Sequence, residues 1–507
     1  MRISDFSRRR FLQMVSATAA WAMSSRRAPA ASTSPVLFPR GKTLLRKPHI
    51  GIQVPAISFV DEGIDPVLDN LQLKGHVNTV WLNTYGWERG VAGRQLAGFA
   101  FPDHGPQEPD RDLVGGAFFD YDPKYFRRSA LGSFRAPDYN RRNILAEVLP
   151  KAKARGMDVM AWDFFFPDRG IPPKVKNWDR VVEIDVHGQP TWAPCNNAED
   201  YRQHMFGRVE CYLKQYPELA GIAWGQERMG PLMNMIGGTW GLPIITCFCP
   251  HCQRKARARD LSVDRAREGF LEMEKLFAAA AHNDTLPDGY FVTFWRLLSK
   301  YPEILGWEKL WTDSYHEIRS EVYRIAKSIA PEKPIGFHIL HNATLSPFFR
   351  GEEDYAEIKQ YADFVKPAMY NVVAGGRMAL FLDRLSGTLF HDAKPEDFLA
   401  FYYKIMGYQE APYADLPTTG LLPDYVTRET RRILTAAGNE MAVYPGIDLG
   451  VPAPANEKQA TGEDARAAVK AAFAAGAQGV ILSRKYSEIK LTTLEGAGRG
   501  LREAGAV

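Results

Sequence analysis

Eight short apolar runs recur along the chain, at residues 49–54, 78–85, 157–166, 221–224, 334–340, 362–370, 441–447 and 479–483. Helix-length stretches separate them, among them the amphipathic 143–154, then 198–215 and 310–330, and the alanine-rich 462–475. Strand-length runs alternating with helices predict parallel strands joined by right-handed crossovers. Eight such units are what a closed (β/α)8 barrel, a TIM barrel, requires. An open doubly wound sheet is the rival, but it would carry a glycine-rich phosphate turn after an early strand, and none is visible. Long intervals between the later runs predict extra helices at 261–281 and 398–407. The Gly-, Pro- and Asp-rich stretch 94–135 reads as one of the long loops that build the binding face of such barrels. No repeat or linker divides residues 35–507, so one barrel domain is expected there.

The 507 residues are 45% hydrophobic and 24% charged, an ordinary mix for a globular chain. Net charge is +4 and no basic run follows the N-terminus, which argues against a nucleic-acid partner. The N-terminus itself, residues 1–31, reads as an export signal. Ser7, Arg8, Arg9, Arg10, Phe11 and Leu12 precede a short apolar run and then Ala28-Pro29-Ala30-Ala31, a small-residue cleavage region. This resembles a bacterial twin-arginine signal, which implies the twin-arginine export machinery as partner and a periplasmic or secreted location. The apolar run is too short and alanine-rich for a stable membrane span.

Residues just past the strand ends of a barrel converge on one mouth. Here those positions supply Asn83, Tyr85, Asp163, Gln226, Glu227, His338, His341, Asn342, Lys366, Tyr370, Asn371, Tyr444, Asp448, Arg484, Lys485, Tyr486 and Glu488. Several carboxylates among amides and aromatic rings form the inventory of a glycosidase: one carboxyl protonates the leaving oxygen and a second attacks or activates water. Glu227, after the Trp224-Gly225-Gln226 strand end, is the expected acid, and its pKa would have to be raised. Asp448 is the expected second carboxyl, with Asp163 and Glu488 in reserve. Trp81, Trp87, Trp162, Trp224 and Tyr370 are expected to offer rings to a sugar. Asn83, Gln226, His338, Asn342 and Lys366 are expected to hold hydroxyls or a uronate carboxylate.

Three of the five cysteines form Cys247-x-Cys249-x-x-Cys252, a metal-thiolate spacing that a fourth ligand would close into a tetrahedral structural zinc site. Cys195, Cys211 and His251 are the candidates for the fourth. Cys211 lies among apolar neighbours mid-helix, where core packing explains it. Disulfide pairing in an oxidising compartment is the rival reading.

The order Cys195, Asn196, Tyr201, Arg202, Trp224, Gln226, Glu227, Cys247, Cys249, Pro250, Cys252 resembles the catalytic barrel of the family 42 β-galactosidases and related retaining glycoside hydrolases. The resemblance covers roughly residues 195–252. It implies zinc on Cys195, Cys247, Cys249 and Cys252, and Glu227 as general acid/base. Where that family has Asn before its acid, this chain has Gln226. Where it has a glutamate nucleophile at the end of the seventh strand, this chain has Asp448.

The expected function is therefore an exported glycosidase acting on an oligo- or polysaccharide. A glycan-binding barrel that kept the metal clasp and lost its nucleophile is the alternative. A third reading puts a catalytic metal on His338, His341 and Asp163.

Overall fold

The computed structural model describes residues 48–507, apart from 133, 166–170, 172 and 238–243. The export segment therefore lies outside the described residues. The described residues belong to one compact unit. Its framework is a closed ring of eight staves: β1 His49–Val54, β2 Thr79–Gly86, β3 Asp158–Phe165, β4 Gly221–Gln226, β5 Ile335–Ile339, β6 Phe364–Pro367, a two-piece β7 (Ala442–Val443 and Gly446–Asp448) and β8 Gly479–Lys485. Each stave pairs in parallel with the next, and β8 pairs back onto β1. The expected (β/α)8 TIM barrel is what the chain forms, with all eight strands where the apolar runs place them.

The interruption in β7 has a local cause. Pro445 has no N–H to give to a ladder, so the first piece of β7 pairs with β6 and the second with β8. Tyr444 N donates to Val365 O at 3.0 Å, and Pro445 O accepts from Ile481 N at 2.9 Å. The stave is thus stitched to both neighbours across the break.

Alternation along the strands divides the barrel into two cores. Trp81, Met160, Trp162, Phe164, Ala223, Phe364, Ala442, Tyr444 and Ile481 fill the inside of the ring. The intervening residues face the helices and join the larger cluster between the two layers. Bulky rings fit inside because glycines face them. A Cβ on Gly336 would stand 2.3 Å from Phe364 Cδ2, and one on Gly225 would stand 2.7 Å from Phe164 Cδ2.

Helices Glu199–Gln215, Glu303–Ile329, Asn371–Ser386 and Gly462–Ala474 belong to the outer layer. The last opens on a capping box between Thr461 and Asp464. Extra helices Val263–Ala281 and Pro395–Met406 stand where the long intervals predict them. The 94–135 loop is fastened to β2 by the short antiparallel strand Gly116–Ala117. No helix among the described residues is long and apolar enough to cross a membrane.

Candidate active site

Alternation decides which strand-end residues reach the mouth. Inward positions on β4 are Ala223, then Gly225, then Glu227, just past the strand end. Glu227 N donates to Phe165 O at 3.2 Å, which extends the β3–β4 ladder by one step. The Glu227 side chain remains 24% exposed and accepts from His338 Nε2 at 3.3 Å. The opposite ring nitrogen, His338 Nδ1, lies 3.4 Å from Lys366 Nζ. A carboxylate only accepts, so Glu227 fixes the neutral His338 ring as the Nε2–H tautomer and leaves Nδ1 to accept from Lys366. Lys366 also donates to Tyr370 Oη at 2.5 Å. Burial, with the Lys366 charge adding and Glu227 opposing, pushes His338 down to about 4, so the ring is neutral at pH 7. Burial also drives Lys366 down to about 7, opposed by Glu227 and assisted by the Arg484 and Arg377 charges.

Arg377 and Arg484 complete the surroundings. Arg377, on the helix after β6, donates to His341 Nδ1 at 2.9 Å, and His341 Nε2 faces Tyr425 Oη at 3.1 Å. Arg484, near the end of β8, grips Glu488 with both arms of its guanidinium. Burial favours a protonated Glu227. The His338 hydrogen bond and the positive charges of His338, Arg484 and Arg377 outweigh it and hold the carboxyl below the usual glutamate range. Above about pH 4, where His338 is neutral, its share reduces to the N–H bond while the arginine charges persist. The raised pKa expected of Glu227 is not what this geometry produces.

Several expected site residues stand elsewhere. Asp163 points outward from β3 into the helix layer, where Arg208 Nε and Nη2 donate to it at 2.8 and 3.0 Å and Tyr212 Oη at 2.9 Å. Gln226 also faces outward, its Nε2 3.5 Å from Tyr201 Oη. Trp224 packs between the layers against Tyr315 and Phe337. Trp162 and Trp81 plug the barrel interior, and Trp87 is buried as well. These tryptophans thus belong to the core and do not form an open sugar platform. Tyr370, though buried, borders the mouth through Lys366. Asn83 is buried inside the ring, where its Nδ2 donates to Tyr85 O at 3.2 Å. Asn342 is buried and its Nδ2 meets Met229 Sδ at 3.3 Å. Glu488 is buried under Arg484 and Lys485.

Asp448 does lie on an inward position of β7, but its oxygens are engaged. Oδ1 accepts from Gly450 N at 3.0 Å and Val451 N at 2.9 Å, and Oδ2 from Val373 N at 3.2 Å. Burial raises its pKa against the pull of those three N–H groups and Arg377. The carboxylate ties the turn after β7 to the start of helix Asn371–Ser386.

The pairings of His338, His341 and Asp163 also disperse the third reading, because each is committed to a different partner. Among the described residues, the group that could hold a metal ion is Cys195, Cys247, Cys249 and Cys252. Their ligand atoms lie within 4.8 Å of one another, with Cys195 Sγ 3.4 Å from Cys252 Sγ and 3.5 Å from Cys249 Sγ. A tetrahedral zinc with bonds near 2.3 Å separates its sulfurs by about 3.8 Å, so the set fits such an ion. Asn197 adds two donors: its N–H to Cys195 Sγ and its Nδ2 to Cys252 Sγ, both at 3.3 Å. No disulfide forms. Cys211 is not in the cluster, and His251 Nδ1 is engaged by Arg254.

The clasp reaches Glu227 through its neighbour. Arg228 pairs with the buried Glu183 and donates to Pro194 O, one residue before Cys195. Glu183 also accepts from Thr246 Oγ1 at 2.7 Å, one residue before Cys247. Both chains that carry the thiols are thereby tied to the residue beside Glu227.

Sequence reasoning named Arg484 among the mouth positions but passed over Arg377, which sits on a helix and not at a strand end. A signal was present: Arg377 is a lone charge within the apolar stretch Val372–Leu382.

No protein-family profile matches the chain, and no curated protein matches it. The fold is similar to the crystal structure of a β-galactosidase from the psychrophilic Marinomonas ef1, at TM-score 0.51 and 11% identity, over 90% of this chain and 59% of that one. It is similar also to a polyextremophilic β-galactosidase from the Antarctic haloarchaeon Halorubrum lacusprofundi, at TM-score 0.50 and 14% identity, over 90% of this chain and 58% of that one. This chain spans less than two thirds of the length of either.

Proposed function

We propose that this barrel is a glycoside hydrolase in which Glu227 is the general acid/base. The observation that carries the reading is a partly exposed glutamate just past the end of β4, ordered by the neutral His338 at the mouth where barrels of this class do their chemistry. Lys366 meets the far nitrogen of the His338 ring, so the N–H that Glu227 accepts is oriented before a substrate arrives. A sugar seated over Glu227 removes its remaining exposed surface from water, which favours the protonated form needed to donate to a leaving oxygen. The similarity of the fold to two β-galactosidase structures agrees with this chemistry.

A two-carboxylate hydrolysis needs a second acid. Asp448 could serve only by surrendering backbone N–H bonds, at about 1–3 kcal/mol for each buried group left unsatisfied. That observation favours a second reading, a glycan-binding barrel without turnover. A panel of 4-nitrophenyl glycosides and glycan oligomers separates the two, with Glu227→Gln as control. For a hydrolase, the substitution lowers kcat by roughly 10²–10⁴ while glycan affinity survives. A native protein that binds a glycan and cleaves none establishes the second reading.

The four cysteines fit a structural zinc whose role would be to cross-link the loops on either side of Arg228. One zinc per chain, measured after purification under reducing conditions, is the expected result. The N-terminal arginine motif supports export by the twin-arginine route to the periplasm or beyond.

A further inference from the structure

Resting on the glycosidase reading, we infer that the barrel mouth takes a sugar bearing a negative charge, a uronate carboxylate or a sulfate ester, against Arg377 and Arg484, with the buried Lys366 nearby. The direct partners of these cations are the starting point. Lys366, fully buried, is bonded to two neutral atoms, His338 Nδ1 and Tyr370 Oη. Arg377 donates to neutral His341 Nδ1. Arg484 is paired with Glu488, and its side chain remains 27% exposed, like that of Glu227 at 24%.

Asp448 and Glu457 act on Arg377, and Glu88 with Glu488 acts on Arg484 and Lys485. Lys366 Nζ lies 4.7 Å and Arg377 Cζ 5.9 Å from the centroid of the Tyr370 ring, and the carboxylate that Lys366, Tyr370 and both arginines share is Glu227. A buried ammonium between neutral partners lowers stability, and such arrangements persist where a ligand uses them. Guanidinium groups present planar donor forks suited to a carboxylate or a sulfate.

The same arrangement links charge to chemistry. The cations stabilise Glu227 as a carboxylate, the wrong form for protonating a leaving group. An anion placed among them offsets their field and shifts Glu227 toward its protonated form. A neutral sugar leaves the field uncompensated. The substrate's charge would therefore both hold the ring and arm the acid, and the preference should appear in kcat as well as KM.

The test pairs 4-nitrophenyl glycosides in both anomeric series: each neutral hexoside with its uronide and its 6-sulfate. The expected result is a kcat/KM at least tenfold higher for a charged member, uronide and sulfate being ranked by the same assay. Arg377→Met should lower that ratio about tenfold, and Arg377→Lys should retain most of it. Equal or faster cleavage of the neutral member overturns the inference and leaves the glycosidase reading standing. If no pair is cleaved, calorimetry with oligogalacturonate, oligoglucuronate, a sulfated oligosaccharide and their neutral counterparts decides. Salt-sensitive binding confined to charged oligomers upholds the inference while the hydrolase reading falls, and binding that ignores charge, or no binding, overturns it.

Discussion

A proton donor has to be holding its proton when the substrate arrives, and Glu227 is surrounded by groups that favour letting it go. The free protein has its Glu227 carboxyl below the ordinary glutamate range because His338, Arg484 and Arg377 outweigh burial. The pH dependence of kcat/KM reports the free enzyme, and that of kcat the bound complex. As pH rises, kcat/KM should therefore fall through a value below the ordinary glutamate range. The kcat limb should lie at higher pH, because a seated sugar removes water from the carboxyl. Initial rates from pH 3 to 8 on a cleaved glycoside check both limbs, and coincident limbs would refute the argument. Lys366 gives a separate prediction in stability. Its ammonium is driven from 10.5 down to about 7 by burial. Between those values the unfolded chain holds a proton that the folded chain has released, so this residue makes stability rise with pH across that window. Urea denaturation at pH 6.5 and 9.5 should show the native protein gaining on a Lys366→Met variant by on the order of a few kcal/mol. A pH-independent difference between the two would mean that Lys366 carries no such penalty.

The strands were legible because each apolar run is short and flanked by helix-forming sequence, and the Cys-x-Cys-x-x-Cys spacing marked its loop for the same kind of local reason. Side-chain direction at the strand ends was not legible. A residue faces the mouth or the helices according to strict alternation, and a one-residue shift exchanges the two faces. Register irregularities after Ile52 and after Asn83 introduce such shifts without any compositional mark. Asp163, Trp224 and Gln226 are chemically suited to a sugar site, yet alternation turns all three toward the helices. The Glu183–Arg228 pair was likewise invisible, since its partners are remote in sequence and joined only by the fold. That pair makes the clasp part of the Glu227 support. Removing one member of a buried ion pair costs about 3–5 kcal/mol. Glu183→Gln should therefore lower the unfolding midpoint and impair whatever Glu227 does, while one metal per chain is retained. Stripping the metal with a chelator under reducing conditions should expose the Val182–Ile184 and Pro190–Pro194 hairpin to protease, read by mass spectrometry of the fragments. An intact hairpin in metal-free protein would show that the thiol cluster does not fasten it.

A barrel that held a metal on four buried thiols would have to acquire it before those thiols met an oxidant. Cys195 Sγ lies 3.4 Å from Cys252 Sγ, close enough that an unmetallated pair leaving the reducing cytoplasm would compete for disulfide formation. Export of an already folded chain, as proposed, would remove that competition, because the loop would close around the metal inside the cell. The proposed Arg8-Arg9 signal and the proposed metal clasp thus bear on one problem, in what order folding, metal loading and export would occur. Replacing both arginines by lysine should leave the protein in the cytoplasm, folded and metallated, and abolish its appearance outside the inner membrane. Replacing residues 1–31 by a signal for export in the unfolded state should deliver protein of the same length with a reduced metal content. Thiol alkylation followed by mass spectrometry should then find oxidised Cys195 or Cys252 in the rerouted protein and metal-protected thiols in the native one. Full metal occupancy in the rerouted protein would break the link between the route and the clasp.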